Sequence, residues 1–289
     1  MQQAQPFLLG HSPDPDDAFM FYAMAEEKID LRGYRFEHIL QDIETLNQRA
    51  QRGELDISAV SIHAYSYLID QYALMPCGAS MGDGYGPMLV VKDRAGLPED
   101  ASDEAIVAWL QDKKIAVPGP LTSAFLAVRL FAGDIQAVMT PFDEIFDSVR
   151  NGTTDVGLII HEGQLTYAKE GFSLVRDLGA WWKERTELPL PLGGNVVRRN
   201  LPEPVRQDLL AIMKESIAYG LAHREAGVAH SMPLARGMDT DLTDRFVGMY
   251  VNDFTVDYGE TGRQAVRRFL QEGAEAGWIP APVDLQFEE

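Results

Sequence analysis

Lys114-Ile115-Ala116-Val117-Pro118-Gly119-Pro120-Leu121-Thr122-Ser123-Ala124-Phe125-Leu126-Ala127-Val128 reads as a strand, a turn and the start of a helix, and it repeats an earlier stretch of the chain. The earlier copy opens with the apolar run Phe7-Leu8-Leu9-Gly10. It turns through Ser12-Pro13-Asp14-Pro15-Asp16-Asp17 and enters a helix at Ala18-Phe19-Met20-Phe21-Tyr22-Ala23-Met24. In both copies a small polar cap is followed by Ala-Phe. Each copy continues alike, with a second strand over 34–40 or 136–140 and a short helix over 43–52 or 142–150. Each then ends in Gly-x-x-Asp before a third strand, Gly53-Glu54-Leu55-Asp56-Ile57 and Gly152-Thr153-Thr154-Asp155-Val156. Strand–helix–strand–helix–strand, twice, predicts two mainly parallel sheets.

Working outward, two Gly/Pro-rich segments flank the second copy, each joined to an apolar extended run. They are Met81-Gly82-Asp83-Gly84-Tyr85-Gly86-Pro87, leading into Met88-Leu89-Val90-Val91, and Leu188-Pro189-Leu190-Pro191-Leu192-Gly193-Gly194-Asn195-Val196-Val197. They read as paired crossovers between two lobes. The last third is expected to be helical over 203–223, 239–250 and 260–277 and to pack back on the first lobe. The organisation is therefore 1–90 and 193–289 for lobe 1, with 91–192 as lobe 2. This is an α/β, periplasmic-binding-protein-like (type II) two-lobed fold. Its ligand is expected between the lobes, at the C-terminal ends of the strands.

Composition narrows the function. The 289 residues carry 25 basic and 44 acidic side chains, a formal net charge of -19. Such a surface repels nucleic-acid phosphates and anionic lipid, so neither is an expected partner. An anionic ligand must be held locally, by hydroxyls, backbone N–H groups and helix N-termini. The single cysteine, Cys77, excludes an internal disulfide and a multi-thiolate metal site. Met1-Gln2-Gln3-Ala4-Gln5-Pro6 has neither a basic n-region nor an apolar core, so a cytoplasmic address is expected. No obligate protein partner is evident.

Several motifs fail on inspection. Gly82, Gly84 and Gly86 precede a strand-like run rather than a helix, against a dinucleotide loop. After His161-Glu162 the fifth position is Leu165, so the paired histidine of a zinc protease is missing. Asp14, Asp16 and Asp17 lack the rest of a calcium loop and read as helix capping. Among six histidines, His11, His63 and His161 sit at or just past strand ends, where a cleft would be. His161 follows the apolar Val-Gly-Leu-Ile-Ile run, and a neutral imidazole there is a usable base near pH 7. Thr122 and Ser123, capping the first helix of lobe 2, suit a carboxylate, whereas Asp16 and Asp17 suit sugar hydroxyls.

Several segments together resemble one family. They are Ser12–Tyr22, Asp42-Ile43-Glu44-Thr45-Leu46-Asn47, Gly78–Pro87, Ile159-Ile160-His161-Glu162-Gly163-Gln164-Leu165-Thr166-Tyr167 and Leu188–Arg199. The family is 1,4-dihydroxy-6-naphthoate synthase, of the futalosine route to menaquinone, and the resemblance runs from about Leu8 to Trp278. It implies a lyase that converts cyclic dehypoxanthinyl futalosine, a carboxylated spiro compound, to the aromatic product with no cofactor or metal. It implies that His161 is the general base, and that Ala59, Val60, Ser61, Thr122, Ser123 and Ala124 contact substrate. Some members carry a basic residue at the position of Ala59 and Asn at that of Asp16, which shifts carboxylate binding here toward hydroxyls and N–H groups. Two alternatives stay open: a non-catalytic binding protein for a small carboxylate, and the chorismate dehydratase sister enzyme.

Overall fold

The computed structural model describes residues 5–94, 96–280, 285, 287 and 288. Residues 1–4, on which the expectation about an export signal partly rests, lie outside the described residues. Strands β1 (Phe7–His11), β2 (Phe36–Leu40) and β3 (Ile57–Ser61) pair in parallel in the order β2-β1-β3. Strands β4 (Tyr72–Leu74) and β5 (Ser80–Gly82) follow before the chain leaves this sheet. The second sheet begins at β6 (Met88–Val91) and contains β7 (Lys114–Val117), β8 (Gln136–Met139), β9 (Val156–Ile159) and β10 (Ser173–Asp177). Its parallel triplet, β8-β7-β9, repeats the order of the first. The duplication thus extends from sequence to topology. The chain re-enters the first sheet through β11 (Leu190–Arg198), which lies between β3 and β4 and also pairs β5.

Both sheets are mixed. The expected parallel pairing holds within the two triplets, but β6 is antiparallel to β9 and β11 to β3. The reason is geometric: a strand arriving across the cleft enters at the C-terminal edge of the parallel triplet and must run back along it.

The helix Pro15–Ala25 starts with proline in its first turn and Asp16 and Asp17 at its positive end. Its residues are nearly all buried, because β2 and Leu9 of β1 lie on one side and the C-terminal helices on the other. Phe19, Met20 and Phe21 pack with Leu209, Met213 and Ile217 of the helix Glu203–Ala222. Gly227 lets the next helix, Arg224–Ser231, close on this layer, since a Cβ there would meet the Phe19 ring at 2.6 Å. That helix has no counterpart in the sequence expectation. The final helix, Gly259–Glu275, packs on both β11 and the helix Ser123–Ala132. Its Phe269 meets Trp182 edge-on at 5.4 Å, in one apolar cluster with Leu126 of lobe 2 and Val196 of β11. No helix among the described residues is long and apolar enough to cross a membrane.

Candidate functional site

A cavity of ≈ 120 Å³ lies between the lobes. From lobe 1 it receives the turn after β1, with Ser12, Asp16 and Asp17, and the end of β3, Ala59-Val60-Ser61. From lobe 2 it receives Thr122-Ser123-Ala124, Ile160 and Gln164, and β11 closes its floor with Leu192–Asn195. The structure therefore brings together all six residues expected to contact substrate.

Its walls differ in chemistry. Thr122 Oγ1 donates to Gly119 O (2.9 Å) and accepts from Phe125 N–H (3.2 Å). Ser123 Oγ donates to Leu192 O (2.5 Å) and accepts from His63 N–H (3.1 Å). Both hydroxyls expected to hold a carboxylate are thus committed to bonds within the protein. What the cap still offers an anion is backbone: the N–H groups of Ser123 and Ala124, in the first turn of the helix Ser123–Ala132, have no intrahelical acceptor. Across the cavity Ser61 keeps its proton available. Its oxygen accepts from Asn47 Nδ2 (3.1 Å), and its N–H donates to Asn47 Oδ1 (2.8 Å).

The opposite wall accepts hydrogen bonds. Asn195, opposite Ala59 in register, donates through Nδ2 to Gly78 O (2.8 Å) and leaves Oδ1 buried with no partner. Sequence reasoning passed over Asn195. The available signal was a lone amide in the apolar run ending Val196-Val197. Asp17 Oδ2 accepts Ser12 N–H (2.7 Å), yet burial pushes its carboxyl up to about 7. Asp16 is raised well above the usual carboxylate range, by burial first and then by Asp17 and Asp14. Among the described residues no lysine or arginine lines this cavity.

His161 sits just past β9 and is 7% exposed. Its ring does not line the cavity. Ile160 and Gln164, on either side of it, do. The imidazole faces an adjoining cavity of ≈ 410 Å³ that also contains Glu162, Lys169 and Arg236. Nε2–H donates to Phe142 O (3.1 Å), and Nδ1 accepts Gly163 N–H (3.0 Å). These two bonds select the tautomer and make Nδ1 the basic nitrogen. The other two strand-end histidines line neither cavity. Burial pushes His63 down to about 4, its ring bonded to Thr122 O (3.1 Å), and His11 down to about 3, its ring stacked on Phe21. Burial also pushes the Cys77 thiol up to about 12, which makes it inert as a nucleophile.

Direct bonds close the lobes over the cavity. Leu121 N–H donates to Glu44 Oε2 (3.1 Å), and Tyr250 OH donates to Gln164 Oε1 (2.5 Å). Arg236 Nη1 reaches both Asp14 Oδ1 (2.7 Å) and Glu162 Oε2 (2.8 Å).

Comparison with known proteins adds to this geometry. A family model described as menaquinone biosynthesis matches residues 7–275. A protein of Thermus thermophilus named "1,4-dihydroxy-6-naphtoate synthase" is 38% identical over 274 residues, 95% of this chain and 96% of the relative. One of Streptomyces coelicolor with the same name is 35% identical over 284 residues, covering 96% of each. Protein AF1704 of Archaeoglobus fulgidus superimposes with a TM-score of 0.88 at 40% identity, covering 96% of this chain and 100% of that one. The alkanesulfonate-binding protein SsuA of Xanthomonas axonopodis pv. citri, at 12% identity, has a TM-score of 0.69 and coverage of 98% and 97%. That last likeness concerns the fold alone, which is periplasmic-binding-protein-like.

Proposed function

The chain belongs to the menaquinone-biosynthesis family, and from that premise we propose that it converts cyclic dehypoxanthinyl futalosine to 1,4-dihydroxy-6-naphthoate as a carbon–carbon lyase. The observation that carries this reading is the cavity between the lobes with unlike walls. Backbone N–H groups of Ser123 and Ala124, with the Ser61 hydroxyl, suit the substrate carboxylate. Asn195 Oδ1 and the Asp16–Asp17 turn suit hydroxyls of the sugar remnant. Because burial holds the Asp16 carboxyl toward its neutral form, this acidic wall repels an anionic substrate less than its composition suggests.

His161 is the proposed base, acting through Nδ1. The substrate must replace the Gly163 N–H as the partner of that nitrogen, so the reacting atom lies at the turn bordering both cavities. A proton leaves a hydroxyl or an acidic C–H beside the spiro centre and passes to Nδ1. The carbon–carbon bond then breaks in a retro-aldol or elimination sense, and the gain of aromaticity drives the step. The protein contributes position, exclusion of water and the base.

Mass spectrometry of the purified protein incubated with cyclic dehypoxanthinyl futalosine tests the proposal. The expected result is 1,4-dihydroxy-6-naphthoate and a released sugar fragment. Binding without turnover would instead identify a solute receptor, and dehydration of chorismate the sister activity.

A further inference from the structure

Arg236 belongs to lobe 1, between the 3-10 turn Met232–Leu234 and the helix Thr240–Tyr250. Its backbone is left-handed, φ 44°, a conformation that disfavours any side chain with a Cβ and that persists where the surroundings hold it. The guanidinium gathers groups from both sides of the cleft. On lobe 1 it bonds Asp14 Oδ1 (2.7 Å) and Pro13 O (3.1 Å). On lobe 2 it bonds Glu162 Oε2 (2.8 Å) and lies over the Phe142 ring, 4.8 Å from its centroid. Those two lobe-2 partners also contact His161. Glu162 Oε2 stands 3.6 Å from Nδ1, Phe142 O accepts Nε2–H at 3.1 Å, and the Phe142 ring meets the imidazole edge-on at 5.5 Å.

We propose that Arg236 is a positioning residue that arms His161 when the lobes close, by docking on Glu162 and Phe142. The inference rests on His161 being the base. With the lobes apart, the Glu162 carboxylate beside Nδ1 has no cation from lobe 1, and nothing from lobe 1 holds the Phe142 segment. On closure the guanidinium takes up that charge and holds the Phe142 segment against the ring. Proton abstraction is thereby confined to the state in which water is excluded from the cavity. Asp143, Lys169, Glu170 and Asp239 also line the cavity that the imidazole faces. Among the described residues Glu162 is the carboxylate within ion-pair distance of the ring.

The test is the pH profile of kcat for the full chain with cyclic dehypoxanthinyl futalosine, in R236Q, E162Q, the R236Q/E162Q double variant and H161N. R236Q should lower kcat by about 10–100-fold at neutral pH, as expected for a misplaced base, with a smaller change in KM. Its acid limb should move up by about one pH unit, because Glu162 is then uncompensated. E162Q should move the limb down, and the double variant should bring the R236Q limb back toward wild type. An R236Q limb that coincides with wild type, or a double variant that matches R236Q, overturns the coupling. If R236Q does not fold, an unmoved limb in E162Q overturns it equally. H161N turning over at the wild-type rate removes the base itself, a failure separable from loss of the coupling alone.

Discussion

Ser123→Ala separates two roles that a hydroxyl at this position can play. In the structure Ser123 Oγ faces the protein on both sides, donating to Leu192 O and accepting from His63 N–H. The register of β11 against β5 shifts between Pro191 and Gly193, so the Leu192 carbonyl falls at a bulge, and the serine hydroxyl satisfies it. Alanine would leave the half-buried Leu192 acceptor and the buried His63 donor unpaired, at about 1–3 kcal/mol each before relaxation. A net loss of roughly 2–4 kcal/mol follows, and at about 2–4 °C per kcal/mol for a chain of this size Tm should fall by roughly 5–15 °C. The backbone N–H groups of Ser123 and Ala124 are unaltered, so affinity for the dihydroxynaphthoate product should change by less than about threefold, well under the value of a charged hydrogen bond. Thermal unfolding followed by circular dichroism gives the first quantity, and titration calorimetry with product the second. An unchanged Tm with a tenfold or greater loss of affinity would refute the reasoning and put Ser123 Oγ on the ligand.

Three further outcomes are expected. His161→Asn should lower turnover about 10²–10⁴-fold in steady-state assays while leaving product affinity nearly unchanged, because the carboxylate anchor lies on another segment. Gly163→Ala adds a Cβ that would stand 2.8 Å from His161 Cε1 and Phe146 Cε2, so kcat should drop with little change in urea unfolding; full activity would mean that the ring position is not critical. Asp17 carries a folded value of about 7 against 3.8 for the free carboxyl, so the folded chain retains a proton that the unfolded chain releases. Its contribution therefore makes stability fall as pH rises from about 4 toward 7, and Asp17→Asn should flatten that slope in urea titrations at pH 5 and 7.

What the sequence revealed was local. The repeated strand, cap and Gly-x-x-Asp turn fixed both triplets, since each depends on neighbours a few residues apart. Thr122 and Ser123 were legible for the same reason, as a helix cap, whereas Ala59, Val60, Ser61 and Ala124 were reached only through the family resemblance; all six line the cavity. The direction of β6 and β11 was not, because it follows from where a crossover enters a sheet rather than from its own residues. Nor was the engagement of Ser123 by Leu192 of β11, or of Glu162 by Arg236, partners far apart in the sequence. His161 illustrates the limit. Its position after an apolar strand was readable, whereas the ring's orientation depends on Phe142 and Gly163 and on packing around them.

The place of β11 in the first sheet also bears on how the chain acquires its shape during synthesis. β3 and β4 are separated by a strand that leaves the ribosome more than a hundred residues later, after the whole of the second sheet. A nascent chain stopped before Leu190 can complete the second sheet, whose strands run from Met88 to Asp177, but it must leave the first sheet with an unpaired edge on β3. The inserted half is thus able to finish before the half that surrounds it. Until β11 seals the gap, the exposed β3 edge is where a shielding chaperone would be needed.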